Sequence, residues 1–452
     1  MDEPEATNDS DPSERLSRSH PVFGSSAFLR LWIAQVVSAF GDWIGFLAII
    51  EIARRIGGDQ PGSAIALVMI ARVLPGFFLA SVGGVIVDRV NRKRLLIGCD
   101  ILRALVLLSI PFIERVWALV LVSLVLELAT SLWGPAKEAI VPNLVPKEQL
   151  TAANSLSLVA AYGTFPLAAG AFIGLAKLAE WLGGSDIGQV EWAHVLDSVT
   201  FLIAACLIAT LPLVPRRKEE EKAGPIDLAQ GIHELREGWT FIAISPQVRA
   251  VLTGLGTGMI GGGMLIPLGA VFNDVVLGAG NAGFGTILVT LGIGVAVGVS
   301  VLSALQRRMD KEQAFIAAVF GAGSSLLLAV STSNSYWSLS GVFLMGICAG
   351  SVYVLGFTLL HEHVEEQLRG RVFSALYTLV RFCLLLSITV GGFLSDGFNW
   401  LFGVLFDNEL QLGSWTMTLP GVRGALWLAS SFMFLASVLA WISLRTPKKK
   451  FQ

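Results

Sequence analysis

The chain alternates long apolar runs with short polar ones, and that alternation limits its fold more than any single residue does. From Phe28 onward about twelve runs stand out, at 28–50, 62–87, 95–113, 116–134, 152–177, 193–213, 248–272, 282–305, 313–332, 336–360, 371–396 and 421–444. Each is near the roughly 20 residues that a helix needs to cross a bilayer. With 54% hydrophobic residues, 15% charged and a mean hydropathy of +0.69, the 452 residues carry more apolar surface than one soluble core could bury. The expectation is an all-α membrane protein of twelve transmembrane helices.

The polar segments divide it. Residues 1–27 read as a disordered cytoplasmic tail, acidic and Ser-rich with no apolar core or cleavage site. Bundles of six spans are expected at 28–214 and 248–445, joined by a linker at 215–247 whose segment 226–244 has apolar residues at helical spacing beside charges, as in a helix on the cytoplasmic surface. A basic tail, 446–452, closes the chain. If the amino terminus is cytoplasmic, 24 of the 32 Lys and Arg fall on that side, 5 fall outside and 3 lie within spans, which places both termini in the cytoplasm of a plasma-membrane protein. A net charge of −2, with bases gathered at loops, argues against nucleic acid as a partner. Cys99, Cys206, Cys348 and Cys383 lie in apolar runs without metal spacing and read as small buried hydrophobes.

The most charged short loop is Gly84-Val-Ile-Val-Asp88-Arg89-Val-Asn91-Arg92-Lys93-Arg94. It resembles the loop between the second and third spans of the major facilitator superfamily, with Asn91 where the pattern has a second glycine; Asn also accepts a left-handed backbone. Pro135-Ala136-Lys137-Glu138 through Pro146, Ala153-Asn154-Ser155-Leu156, Ser38 to Trp43, Glu237-Gly238-Trp239 and Leu368-Arg369-Gly370-Arg371-Val372 are similar to a bacterial branch that holds macrolide efflux pumps, the enterobactin exporter and a lysophospholipid flippase. The resemblance implies two pseudo-symmetric six-helix bundles. An internal repeat agrees: Gly298 falls on Gly84 with Arg307 and Arg308 on Lys93 and Arg94, and Glu366-Gln367-Leu368 falls on Glu148-Gln149-Leu150. The second copy carries Leu302 in place of Asp88. In the family the matching Asp latches the cytoplasmic side against the start of span 11, which implies a latch of Gly84, Asp88, Arg89, Arg92, Lys93 and Arg371 here.

Charges that cannot leave the hydrocarbon should carry the coupling or line the substrate cavity. Asp42 and Arg72 come near mid-depth and are expected to face each other or a watery cavity. Arg103 and Glu127 lie in the inner half and Arg381 is mid-span, with the arginines read as partners of the acids and Glu127 as a candidate proton carrier. Asp197 sits near the outer end of span 6, where a side chain can snorkel. Pro166 and Gly170 resemble part of the bend of facilitator antiporters, and Gly261, Gly262 and Gly263 mark a hinge or gate in span 7, with close helix packing the alternative. Trp400, Phe402, Phe406 and Trp415 are expected in a loop at the outer interface. His361-Glu362-His363 has metal-like spacing, but a cytoplasmic loop beside Glu365 and Glu366 is the plainer reading.

No nucleophile, metalloprotease or Walker pattern is present, so the chain is read as no enzyme, without cofactor or metal, and driven by an ion gradient, of protons by preference. Three functions stay open: a secondary exporter of amphipathic small molecules, a lysophospholipid flippase, or a membrane sensor that does not transport. The expected partners are an amphipathic organic substrate or a lipid, the surrounding membrane lipids, and no second copy of the chain.

Overall fold

The structure, a computed structural model, describes residues 23, 25–146, 149–181, 186–212, 245–305, 309–364, 366–412 and 415–445. The surface helix expected at 226–244, the tail 446–452 and residues 1–22 of the expected amino-terminal tail lie outside them, and the first helix begins at Ser26, inside that expected tail. The helices are α1 (Ser26–Ile56), α2 (Pro61–Arg89), α3 (Arg92–Leu107), α4 (Val116–Glu138), α5 (Leu150–Tyr162), α6 (Phe165–Trp181), α7 (Asp186–Ala209), α8 (Pro246–Gly262), α9 (Leu265–Phe272), α10 (Gly280–Leu305), α11 (Lys311–Val330), α12 (Ser335–His363), α13 (Glu366–Phe406) and α14 (Gly421–Arg445). With α5 and α6 forming span 5, and α8 and α9 forming span 7, these make the twelve expected spans. The start of α1 and the end of α14 share one side, here the terminal face; the opposite side is the far face.

Interfacial polar residues begin the helices. Ser25 Oγ accepts from the Phe28 amide at 3.0 Å and donates to the Leu144 carbonyl at 2.6 Å, so one hydroxyl caps span 1 and ties it to the loop after span 4. Asn91, Asp310 and Asn334 cap spans 3, 9 and 10 in the same way.

Two prolines interrupt spans. Pro166 has no N–H to offer the Tyr162 carbonyl four residues back, and α5 ends at Tyr162. Pro267 stands in the same relation to Gly263, where span 7 breaks. There Ser387 Oγ of span 11 donates to the Ile260 carbonyl at 2.7 Å.

The connection between spans 11 and 12 differs from the expected loop. Span 11 continues to Phe406, because its apolar pattern persists past Trp400, so Trp400, Phe402 and Phe406 occupy its last turns. Asp407 and Asn408, at φ 50° and 57°, then end the helix, both being residue types that tolerate this region. A two-stranded antiparallel hairpin follows, β1 (Glu409–Leu412) with β2 (Trp415–Thr418), in which Glu409 faces Thr418.

The hydrophobic core is forked. In the far half of the molecule one cluster runs through both bundles, from Ile44, Leu47 and Phe201 to Leu265, Leu268, Phe284 and Leu426. Toward the terminal face the described residues form two clusters. One belongs to the first bundle alone, around Phe28, Leu96, Trp133 and Leu211, and the other to the second, around Val251, Phe315, Leu355 and Leu376.

Candidate coupling site and gates

The helices of the first bundle bring its intramembrane charges together. Arg103 Nη1 lies 3.5 Å from Asp42 Oδ2, and Nη2 bonds Asp100 one turn earlier on span 3. The guanidinium also sits 4.0 Å from the Phe201 ring centroid and 5.4 Å from that of Trp133. A lone arginine at this depth would be costly in lipid; two carboxylates and two aromatic faces make it tolerable. Asp42 therefore pairs with Arg103 on span 3, with its side chain still 33% exposed. Arg72 instead lies over Phe46, 5.8 Å from its centroid, and interacts electrostatically with Glu127, His194 and Asp197. Glu127 accepts a long bond from Ser131 Oγ at 3.5 Å and faces Gly76 of span 2, where a Cβ would stand 3.7 Å from its Oε1.

One buried acid carried no signal in the sequence and another lies deeper than expected. Asp100 was not singled out, although its three-residue spacing from Arg103 puts both on one helix face. Asp197 does not snorkel: it is 2% exposed and packed against Gly41 and Gly45 of span 1. The reason is that the helix begins at Asp186, so Asp197 lies about 16 Å inside its start. The bundle thus gathers four carboxyls, Asp42, Asp100, Glu127 and Asp197, around two guanidiniums, Arg72 and Arg103.

Polar contacts join the bundles at the far face. Asp396 of span 11 accepts from the Ser63 amide at 2.7 Å and the Gly62 amide at 3.2 Å, at the first turn of span 2. Beside it Gly62 and Gly392 meet backbone to backbone. Arg54, at the end of span 1, binds Glu51 at 2.6 Å and reaches across to Asp274 at 2.7 Å. The sequence reading had counted Arg54 only as a loop charge and had not noticed Asp396.

At the terminal face, the side chains of Gly84, Asp88, Arg89 and Arg371 lie outside the described residues, as does that of Arg381 within span 11. Of the latch residues that are described, Arg92 Nη1 donates to the Ala139 carbonyl at 2.9 Å and Lys93 Nζ to the Leu211 carbonyl at 2.7 Å. Both bases sit at the carboxyl ends of helices in their own bundle, where positive charge is favoured.

The hinge residues fall in different settings. Pro166 and Gly292 stand 3.7 Å apart (to a Cβ built on the glycine), where spans 5 and 8 part. Closer to the far face Gly285 packs on Ile173; toward the terminal face an open pocket of about 430 Å³ appears, lined by Pro166, Ile293, Ala296, Val297, Ser300 and Val301. Gly170 has open space where a side chain would be. In span 7, Gly261 packs on the Ala429 carbonyl and Met433, Gly262 lies near Met345 and Met433, and Gly263 is at the break.

Glu362 pairs with Lys311, and His363 Nδ1 lies 2.9 Å from the Leu359 carbonyl; among the described residues no group of three His, Cys, Asp or Glu could hold a metal. Cys99 and Cys383 are buried as expected, whereas Cys206 is exposed on the bundle's outer surface, a face that lipid can cover.

Two six-helix bundles that share a core at the far face, with charges enclosed in the first of them, define a multi-pass membrane transporter rather than an enzyme. The chain belongs to the major facilitator superfamily, whose family model matches residues 31–388. It is 25% identical over 398 residues to an uncharacterized MFS-type transporter, YfiS, of Bacillus subtilis, covering 83% of this chain and 88% of the relative. It is 24% identical over 392 residues to macrolide efflux protein A of Streptococcus pyogenes, covering 82% and 89%. In fold it is similar to a bacterial homolog of the human lysosomal transporter Spinster, with a TM-score of 0.69 at 14% identity over 93% of this chain and 97% of the other. The nucleoside transporter NupG has a TM-score of 0.64 at 12% identity, over 93% and 100%.

Proposed function

We propose that the protein is a proton-coupled exporter of amphipathic small molecules, working as a single chain by alternating access, with both termini in the cytoplasm. In this reading the structure is the state open to the cytoplasm. The forked core supports it: among the described residues, packing is continuous across the bundles at the far face and divided toward the terminal face.

The charge cluster supports protons as the driving ion. Four carboxyls around two guanidiniums leave two negative charges in excess when all are ionised. Burying that excess is costly, and binding protons removes it. The similarity to a macrolide efflux protein favours an exporter. The lateral pocket between spans 5 and 8 favours it too over the flippase, since its described lining is apolar apart from Ser300 and holds no base for a phosphate head group.

The test is transport of rhodamine 6G in proteoliposomes with and without an imposed pH gradient. Accumulation that follows the gradient is the expected result. Transport indifferent to it would remove the proton coupling, and no transport of any amphiphile tried would favour the sensor.

A further inference from the structure

One carboxyl of the cluster makes no ion pair. Arg103 binds Asp42 and Asp100, while Asp197 feels Arg72 and Arg103 without a salt bridge to either. Asp197 is 2% exposed and its Oδ1 has no hydrogen-bond partner.

The neighbouring helix is shaped around this side chain. Gly41 and Gly45 are one turn apart on span 1. A Cβ at Gly41 would collide with Thr200 Oγ1 and stand 2.6 Å from Asp197 Oδ1, and one at Gly45 would collide with Asp197 Oδ2. Glycine weakens a helix relative to alanine, yet here two of them open a notch that the Asp197 carboxyl and the Thr200 hydroxyl fill.

His194 lies three residues earlier on span 6, on the same face and one turn nearer the far face. It is 0% exposed, and neither ring nitrogen has a hydrogen-bond partner. From the other helices the charged groups facing this pair are Asp42 on span 1, Arg72 on span 2 and Arg103 on span 3, with Asp100 and Glu127 behind those arginines. Two enclosed titratable side chains one turn apart, the histidine with no hydrogen-bond partner and the aspartate with Thr200 beside it but none at Oδ1, are poor structural elements. They are well suited to passing a proton.

We propose that Asp197 is the proton-carrying carboxyl of the transport cycle and that His194 relays protons to it from the far face. The inference rests on the proton-coupled reading above. The neutral imidazole takes a proton at its free ring nitrogen and gives the proton of its other nitrogen to the Asp197 carboxylate. The products are the carboxylic acid and the neutral imidazole in its other tautomer. On the opposite leg the acid passes its proton to Asp42, whose side chain is 33% exposed, and Asp42 passes it to water. Protonated, Asp197 needs no counter-charge. Deprotonated, it competes with Asp42 for Arg103, so the proton alters how the guanidinium is shared among spans 1, 3 and 6.

The test compares two readouts of the full-length protein in proteoliposomes: accumulation of rhodamine 6G driven by a pH gradient, and its exchange across the membrane without one. Asp197→Asn, which nearly keeps the shape, should lose gradient-driven accumulation by about tenfold or more while retaining measurable exchange. His194→Gln should slow accumulation and leave its final extent closer to wild type. Wild-type accumulation in Asp197→Asn overturns the proposal, and so does loss of both readouts together, which marks a structural role. Accumulation driven by a sodium gradient at equal pH would assign the notch to a metal cation and overturn it as well. A wild type that ignores the pH gradient would remove the proposed function itself, and that result is visible before any variant is made.

Discussion

Asp396 on span 11 clasps Ser63 on span 2: its Oδ2 accepts from the serine amide at 2.7 Å while Oδ1 accepts from Gly62 at 3.2 Å. A carboxylate thus caps the amino terminus of a helix in the opposite bundle. The resemblance to the family implies the reciprocal contact at the terminal face, where Asp88 on span 2 would cap the start of span 11. The same two helices would then carry one latch at each end, and closing one would require opening the other.

Removing the far-face latch should therefore shift the balance of states. A carboxylate at a helix amino terminus contributes about 0.3–1 kcal/mol when exposed and up to about 2 when partly buried. Asp396→Asn should raise the far-open population several-fold, read by cysteine cross-linking across the far face. An unchanged cross-linking yield would show that the aspartate holds nothing shut.

Bulk at the same seam should act in the same direction more strongly. Gly392 meets the Gly62 carbonyl so closely that an added Cβ would overlap it. Gly392→Val should leave the protein folded in detergent but unable to close its far face, with transport lost and far-face cysteines accessible to a membrane-impermeant thiol reagent. Wild-type transport in this variant would mean the bundles do not need that contact.

Within the charge cluster, partners should separate by burial. Arg103→Ala strands Asp100, which is fully buried, and removing one member of such a pair costs about 3–5 kcal/mol. A large drop in thermal stability is expected. Asp42→Asn removes a partly exposed partner worth about 0–1 kcal/mol, so stability should hardly change while gradient-driven transport is lost. The contrast is checked by measuring melting temperature and transport on the same preparations.

Arg423 makes a different prediction. It is 0% exposed at the start of span 12, and it donates to the Thr418 carbonyl at 2.6 Å and to Ser333 Oγ at 2.8 Å. It pins the hairpin to the turn between spans 9 and 10. Arg423→Ala should cost about 1.5–3 kcal/mol and speed hydrogen exchange around Met417 to Leu419, without altering exchange in the first bundle.

The spans were legible because lipid forces the same pattern on each of them, an apolar run of bilayer length between charged ends. The breaks in spans 5 and 7 were legible as well, since Pro166 and Pro267 remove a donor wherever they stand. What periodicity could not supply was partnership across helices. Asp42 with Arg103, or Asp396 with the amides of span 2, depends on which faces meet, and hydropathy treats all faces of a buried helix alike. Asp197 was misjudged because its depth was counted from the apolar run at 193 when the helix starts at Asp186. The hairpin after span 11 was missed for a related reason: an aromatic stretch at the interface reads the same whether it ends a helix or begins a loop.

The central claim is that proton binding in the first bundle exchanges which face is closed. It is tested most directly by spin-label distances between the bundles, recorded at two pH values in nanodiscs. One label pair belongs at the exposed terminal-face positions Val90 and Met309, the other at the exposed far-face positions Trp181 and Val275. The account predicts that the change in pH lengthens one distance while shortening the other, and that Asp42→Asn abolishes the response. Distances that ignore pH, or that lengthen at both faces together, would contradict it.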